Sequence, residues 1–257
     1  MDTGLKGKTA LVPASSSGIG LAIARSLAAE GANVVLAGRR GDLVRAAAKR
    51  LPSAVGIELD LTTDDAPAAL VAAAKAAFGQ IDVLILNSGG PPPGDAAEVS
   101  DEQVTTAVHQ LLVQHLRLTN LVLPGMRERG WGRVVAVGSS GVQAPLPGLA
   151  LSNMGRAGLA GYLKTLAAEV AADGVTVNMV LPGRIDTDRV GTLDQAAAKR
   201  TGRTADEVRA QAEASILAGR YGRPEEFAAV VTFLASAAAS YVTGEQVRCD
   251  GGLVRAY

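Results

Sequence analysis

Short, fully apolar runs alternate along the chain with longer stretches in which apolar positions recur at helical spacing. The short runs predict strands over residues 9–12, 33–37, 55–59, 83–86, 133–137 and 176–181. The longer stretches predict helices over 21–30, 42–51, 64–78, about 100–128 and 153–172. Gly31 and Gly79 stand just past two of these helices, where glycine is the usual stop. Ser100 with Gln103 three residues on has the form of a helix start. Strands separated by helices of this length imply βαβ units, and strands without polar alternation imply a sheet covered on both faces. The expected fold class is therefore α/β: a single-domain, Rossmann-like, doubly wound parallel sheet over residues 1–257, with helices on both faces and right-handed crossovers.

The stretch 184–222 breaks this rhythm. It is polar, charged and helix-prone, and it follows the carboxyl end of the sixth strand, where such sheets bind ligands. It reads as a helical lid over a substrate pocket; a solvated surface insertion is the alternative.

Composition narrows the function classes. Lys plus Arg is 25 and Asp plus Glu is 25, so the balanced chain lacks the basic excess of a nucleic-acid binder. A hydrophobic content of 48% excludes disorder. The one cysteine, Cys249, excludes an internal disulfide framework and a Cys-based zinc site, and no metal site is expected. No apolar run approaches the ~20 residues of a transmembrane helix, and residues 1–5 lack a signal-peptide layout, so a cytoplasmic location with no membrane partner is expected. Aromatics are only 3%, with four tyrosines. Few are therefore available for chemistry.

The first strand leads into Ala14-Ser15-Ser16-Ser17-Gly18-Ile19-Gly20 and then a helix. Amide groups at a helix start, with the helix dipole behind them, form an anion site. Gly18 and Gly20 would let the backbone approach a pyrophosphate, and Ser15, Ser16 and Ser17 would add hydroxyl donors. The second strand ends in Gly38-Arg39-Arg40. An acidic residue here would select NAD through the ribose 2′-hydroxyl. Arg39 and Arg40 instead suit the 2′-phosphate of NADP, unless they are only a solvated basic pair. Asp60, with Leu61 beside it, ends the third strand; Asp60 is placed to bond the adenine amino group, to cap the next helix, or both.

From residue 5 to residue 252 the chain resembles the short-chain dehydrogenase/reductase family, close to its 3-oxoacyl-acyl-carrier-protein reductase branch. The resemblance rests on motifs in family order. They are the Gly18-Ile19-Gly20 turn, Asn87-Ser88-Gly89-Gly90, Gly132-Arg133-Val134-Val135 leading to Ser139, and Pro182-Gly183-Arg184-Ile185-Asp186-Thr187. Gly222-Arg223-Pro224-Glu225-Glu226 and Val242-Thr243-Gly244 leading to Asp250-Gly251-Gly252 complete the set. The resemblance implies that Asn87 and Gly89 line the adenosine side of a dinucleotide, and that Pro182, Gly183, Ile185 and Thr187 hold the nicotinamide. It also implies a helix-mediated homo-oligomer, a tetramer or dimer. Gly155, Gly158 and Gly161 make the long helix thin enough for such pairing, or for close packing on its own sheet.

The catalytic group departs from the family pattern of Asn, Ser, Tyr and Lys. Ser139 fills the serine position. Ser152, thirteen residues on, stands where Tyr is usual, and Arg156, four further, where Lys is usual. Leu111 stands at the asparagine position, and Pro13 and Ala14 replace the usual Thr and first Gly of the loop. A serine hydroxyl is too weak an acid to replace a phenol, but Ser139 and Ser152 can orient a substrate oxygen. Arg156 stays protonated and can bond ribose hydroxyls with its fork. His115 shares the helix face of Leu111 and is an acid candidate or an ordinary helix histidine; Tyr221 borders the lid and could fold over the pocket. Tyr162 falls on a different helix face from Ser152, and Tyr241 and Tyr257 read as structural. The implied activity is NADP-dependent hydride transfer between nicotinamide and a carbonyl or hydroxyl substrate, with a 3-oxoacyl compound the type that the resemblance suggests. A non-catalytic NADP(H)-binding sensor or assembly protein is the alternative.

Overall fold

The computed structural model describes residues 2–255. Seven strands form one parallel sheet in the order β3-β2-β1-β4-β5-β6-β7. They are β1 (Thr9–Val12), β2 (Asn33–Gly38), β3 (Ala54–Glu58), β4 (Val83–Leu86), β5 (Gly132–Val137), β6 (Val175–Pro182) and β7 (Gln246–Cys249). The helices that connect and cover them are α1 (Gly18–Ala29), α2 (Gly41–Ala48), α3 (Ala66–Phe78), α4 (Asp101–Val108), α5 (Gln114–Glu128), α6 (Ala150–Val170), α7 (Asp188–Thr201), α8 (Ala205–Ser215) and α9 (Pro224–Ala235).

Alternate strand residues feed two cores, because successive side chains leave opposite faces of a strand. On one face Ala10, Val12, Ile85 and Val137 pack under α1, α2 and α9. On the other, Leu11, Leu84, Leu86 and Val134 pack under α3, α5 and α6. With so few aromatics, aliphatic residues fill both cores. Each fully buried Leu or Val contributes about 1.5–3 kcal/mol of transfer free energy.

The predicted helix over 100–128 forms as α4 and α5, started by the Ser100–Gln103 capping box. One π turn, His109–Val113, interrupts it between α4 and α5. Two elements lie beyond the sequence reading. The first is β7, a four-residue strand paired with β6 at the sheet edge. The second is α9, which has Pro224 in its first turn and buries Phe227, Val231 and Leu234. The wide-spaced segment 184–222 holds α7 and α8. Its two ends are pinned together by Asp186 N–H to the Gly222 carbonyl at 2.8 Å and Gly222 N–H to the Arg184 carbonyl at 2.9 Å. Arg209 crosslinks it further through Asp186 and Glu213.

The strand order reverses between β1 and β4, and the loops beyond their carboxyl ends part there to leave a cleft. This is the topological switch point where open α/β sheets take ligands.

Candidate active site

The cleft has two halves that share Ala14, Ser17, Ser88, Gly89 and Gly90 in their walls. The first half lies beyond β2 and β3 and is lined by Ser16, Arg39, Arg40, Asp60 and Leu61. The second, a cavity of about 430 Å³, lies beyond β4, β5 and β6. Gly18, Ile19, Gly20, Asn87, Ser139, Ser152, Arg156, Pro182, Gly183, Ile185 and Thr187 all line it, so the sequence-derived candidates converge on one groove.

The glycine loop is built as an anion cradle. Ser17 precedes α1 in an extended conformation and makes no side-chain cap bond, so the first amides of α1 face the cleft uncapped. Arg40 reaches across the loop and donates to Ser16 Oγ at 2.9 Å and to Ser17 Oγ at 2.7 Å. Asn87 ties the loop to β4 by donating to the Pro13 and Ala14 carbonyls at 3.1 and 3.2 Å. Gly20 is required by this packing: a Cβ there would collide with the Ala14 carbonyl and lie 2.8 Å from Asn87 Nδ2.

Ser15 corrects the expectation of three serine donors. It is fully buried, donates to the Val12 carbonyl at 2.7 Å and accepts from Ala37 N–H at 3.1 Å. Its hydroxyl staples the loop to β2 and faces away from any ligand. Asp60 lines the groove, but the segment after it is a turn, so it does not cap α3. Its carboxylate accepts from the N–H and hydroxyl of Thr62, and the backbone bond holds its pKa below the usual carboxylate value.

Ala14 is the one non-glycine residue with positive φ, +50°, among the described residues. This left-handed conformation costs a Cβ-bearing residue roughly 1–2 kcal/mol. Ala14→Gly relieves that cost against about 0.5–1 kcal/mol of glycine entropy. A rise of roughly 2 °C in the unfolding midpoint is expected; a fall would show that the Ala14 methyl packs favourably.

Around the cavity floor, Ser139 accepts from Gly141 N–H at 3.0 Å, which leaves its own proton free to donate. Ser152, in the first turn of α6, is partly exposed to the cavity. Arg156 is 9% exposed and donates from Nη1 to the Val137 carbonyl at 2.5 Å. Burial, and then the nearby Arg189 charge, lower its pKa to about 10, so it remains a cation at neutral pH. Ser88 presents a buried hydroxyl without a partner in the wall between the two halves. It lies within the Asn87-Ser88-Gly89-Gly90 motif, but nothing in its residue type singles it out.

Among the described residues, no tyrosine lines this cavity. Tyr221 is buried against the lid segment, donates to Asp194 at 2.9 Å, and is absent from the cavity wall. Burial pushes its pKa up to about 12. Tyr241 is fully exposed rather than structural, and Tyr257 lies outside the described residues. Tyr162, itself on α6, packs partly buried against the core, and burial raises its pKa.

His115 is fully buried, and its Nδ1–H donates to the Leu111 carbonyl at 2.9 Å. It does not line the cavity. Burial first, and then the Arg156 charge, lower its pKa from 6.5 to about 4, so it is neutral above pH 5. Between these two values the unfolded chain binds a proton that the folded chain refuses. Stability therefore falls as pH drops from 6.5 toward 4, by a total on the order of 3 kcal/mol. Urea melts of the parent and His115→Gln at pH 7 and 4.5 check this; equal pH dependence in the two would contradict it.

Leu111, at the usual asparagine position, is fully buried against α6. A Cβ on Gly155 would lie 2.8 Å from Leu111 Cδ1, so Gly155 serves internal packing rather than a thin outer helix face. Gly161 has open space around it.

The residues present fit a dinucleotide: an uncapped helix start with hydroxyls and Arg40 at one end, and an apolar-walled cavity with polar groups at the other. Among the described residues, no group of His, Cys, Asp or Glu is placed to hold a metal, and no helix is long and apolar enough to cross a membrane.

Comparison with known proteins agrees with this geometry. A family model described as enoyl-(acyl carrier protein) reductase matches residues 13–254. A 3-oxoacyl-acyl-carrier-protein reductase of Vibrio cholerae is 36% identical over 250 residues, covering 97% of this chain and 98% of that relative. The structure of L-sorbose reductase from Gluconobacter frateurii, complexed with NADPH and L-sorbose, superposes over the whole of both chains with a TM-score of 0.94 and 32% identity. YwfH, an NADPH-dependent reductase involved in bacilysin biosynthesis, gives a TM-score of 0.92 and 27% identity over 97% of this chain and 99% of its own. Fold, motif order and full-length similarity together place the chain in the short-chain dehydrogenase/reductase family, among relatives of the 3-oxoacyl-acyl-carrier-protein reductases.

Proposed function

We propose that the protein is an NADP-dependent oxidoreductase that reduces the carbonyl of a small substrate, or oxidises the matching alcohol, without a tyrosine acid. The observation that carries this reading is the continuity of the groove. A phosphate cradle guarded by Arg40 runs directly into a cavity holding Ser139, Ser152 and Arg156. Similarity to NADPH-dependent reductases supports it.

Each residue has a definite task in this reading. The amides of Gly18, Ile19 and Gly20, with the Ser16 and Ser17 hydroxyls, take the pyrophosphate. Arg39 and Arg40 take the 2′-phosphate and so favour NADP over NAD. Asp60 and Leu61 border the adenine, while Asn87 and Gly89 border the adenosine. Pro182, Gly183, Ile185 and Thr187 hold the nicotinamide, which when bound supplies the hydride. Arg156 binds the ribose with the part of its fork that Val137 leaves free. Ser139 and Ser152 donate to the substrate oxygen as negative charge grows on it. Among the described residues Tyr221 is held by Asp194 and His115 is neutral and absent from the cavity wall, so water serves as the proton source in this reading. Helices α7 and α8 form the lid over the cavity.

We propose likewise that the chain is a cytoplasmic homo-oligomer, a tetramer or dimer; Leu121 on α5 and Met154 on α6 are exposed apolar residues available to a partner copy. Purified protein with NADPH and a panel of small ketones, oxo acids and 3-oxoacyl thioesters tests the activity through loss of nicotinamide absorbance. Turnover above the buffer blank is expected for part of the panel. Tight NADPH binding with no turnover on any member would instead favour a non-catalytic NADP(H)-binding sensor or assembly protein, which the absent tyrosine and lysine would explain.

A further inference from the structure

Three arginines line the cavity: Arg156, Arg184 and Arg189. Arg184 is neutralised, since its guanidinium pairs with the buried carboxylate of Asp194. The other two differ. Arg156 is buried at the floor, and its one hydrogen bond is to the Val137 carbonyl. Arg189, at the start of α7, is exposed at the mouth and donates from Nη2 to the Pro91 carbonyl at 2.6 Å. Neither forms an ion pair among the described residues. Among the described residues, the one carboxylate in the cavity wall, Asp188, forms no ion pair with either.

A buried guanidinium satisfied only by a carbonyl is costly. A second cation close enough to depress its pKa adds to that cost. Yet the loop holds Arg189 in place. Its guanidinium rests on Gly90, where a Cβ would lie 2.9 Å from Nη2. The cofactor phosphates have their own cations, Arg39 and Arg40, in the other half of the groove. Two fixed and unpaired cations at opposite ends of one small apolar-walled cavity make a site for an anion.

We infer that the substrate carries a carboxylate near its reacting carbonyl, and that this carboxylate binds at Arg189, with Arg156 across the cavity adding to the positive potential. The inference rests on the reductase reading and narrows it. It sets this chain toward small oxo acids and away from neutral sugars and thioesters. Arg189 becomes its specificity-determining residue.

The test compares acids with their methyl esters: acetoacetate, 2-oxobutanoate and 4-oxopentanoate, each against its ester. Binding is measured by calorimetry with the protein saturated in NADP⁺, and again without cofactor. At least one acid is expected to bind about 10- to 100-fold more tightly than its ester, as charge-assisted contacts of this kind allow. Arg189→Gln should abolish the preference while leaving NADPH affinity unchanged, and Arg189→Lys should keep part of it. Equal binding of acid and ester in all three pairs, or a preference that survives Arg189→Gln, would overturn the inference. Failure of NADPH to bind would instead strike the reductase reading, because the acid preference without cofactor is read independently.

Discussion

Replacing Ser152 with Tyr and Arg156 with Lys is expected to raise NADPH-dependent turnover of neutral ketones by about 10²- to 10⁴-fold, the usual contribution of a positioned acid. Among the described residues, the parent cavity has donors but no tyrosine acid. Ser139 and Ser152 can hydrogen-bond a substrate oxygen, yet neither gives up a proton near neutral pH, and Arg156 stays protonated to about pH 10. A phenol at position 152 would project into the cavity that Ser152 already borders. A lysine four residues on, with the cationic oxidised nicotinamide, would lower that phenol's pKa toward the working range. Neutral ketones are the right probe, because Arg156→Lys alters the anion site. Initial rates of methyl acetoacetate reduction by parent, single variants and double variant give the result. No gain in a folded, NADPH-binding double variant would show that the missing acid is not what limits this cavity.

Arg40→Ala should weaken NADPH binding by about 10- to 100-fold and leave NADH binding within about threefold, as loss of a charge-assisted phosphate contact implies. Arg40 already spans Ser16 and Ser17, so it stands where the 2′-phosphate would meet the loop. Nucleotide fluorescence titrations of both cofactors separate two roles. An equal loss for NADPH and NADH would mean that Arg40 merely braces the glycine loop.

What could be read from sequence follows the physics of each element. Strands buried on both faces, such as β4 with Val-Leu-Ile-Leu, announce themselves as apolar runs. The edge strand β7, Gln-Val-Arg-Cys, is short, partly exposed and mixed in polarity, so no period marks it. α9 did carry a signal, with Pro224 at its start, Glu225 and Glu226 in its first turn and an apolar stripe after them. In the site, local motifs placed the residues of the groove because a loop after a strand must lie at the sheet's carboxyl edge. Partners set by the fold were not legible. Ser15 is chemically identical to Ser16, and its contacts with the Val12 carbonyl and with Ala37 on β2 turn it inward. Arg189 is one arginine among many in a polar stretch, and its meeting with Gly90 and Pro91 spans about a hundred residues of chain. The Leu111–Gly155 pair likewise joins two helices, so the glycine's inward role depends on a partner distant in sequence.

The most direct measurement is a crystal structure of the protein grown with millimolar NADPH. The expected density places the 2′-phosphate against Arg40, the pyrophosphate on the amides of Gly18 to Gly20, and the nicotinamide in the cavity bounded by Ser139, Ser152 and Ile185. An empty groove at that concentration, or a cofactor whose nicotinamide lies outside the cavity, would contradict hydride transfer at this site.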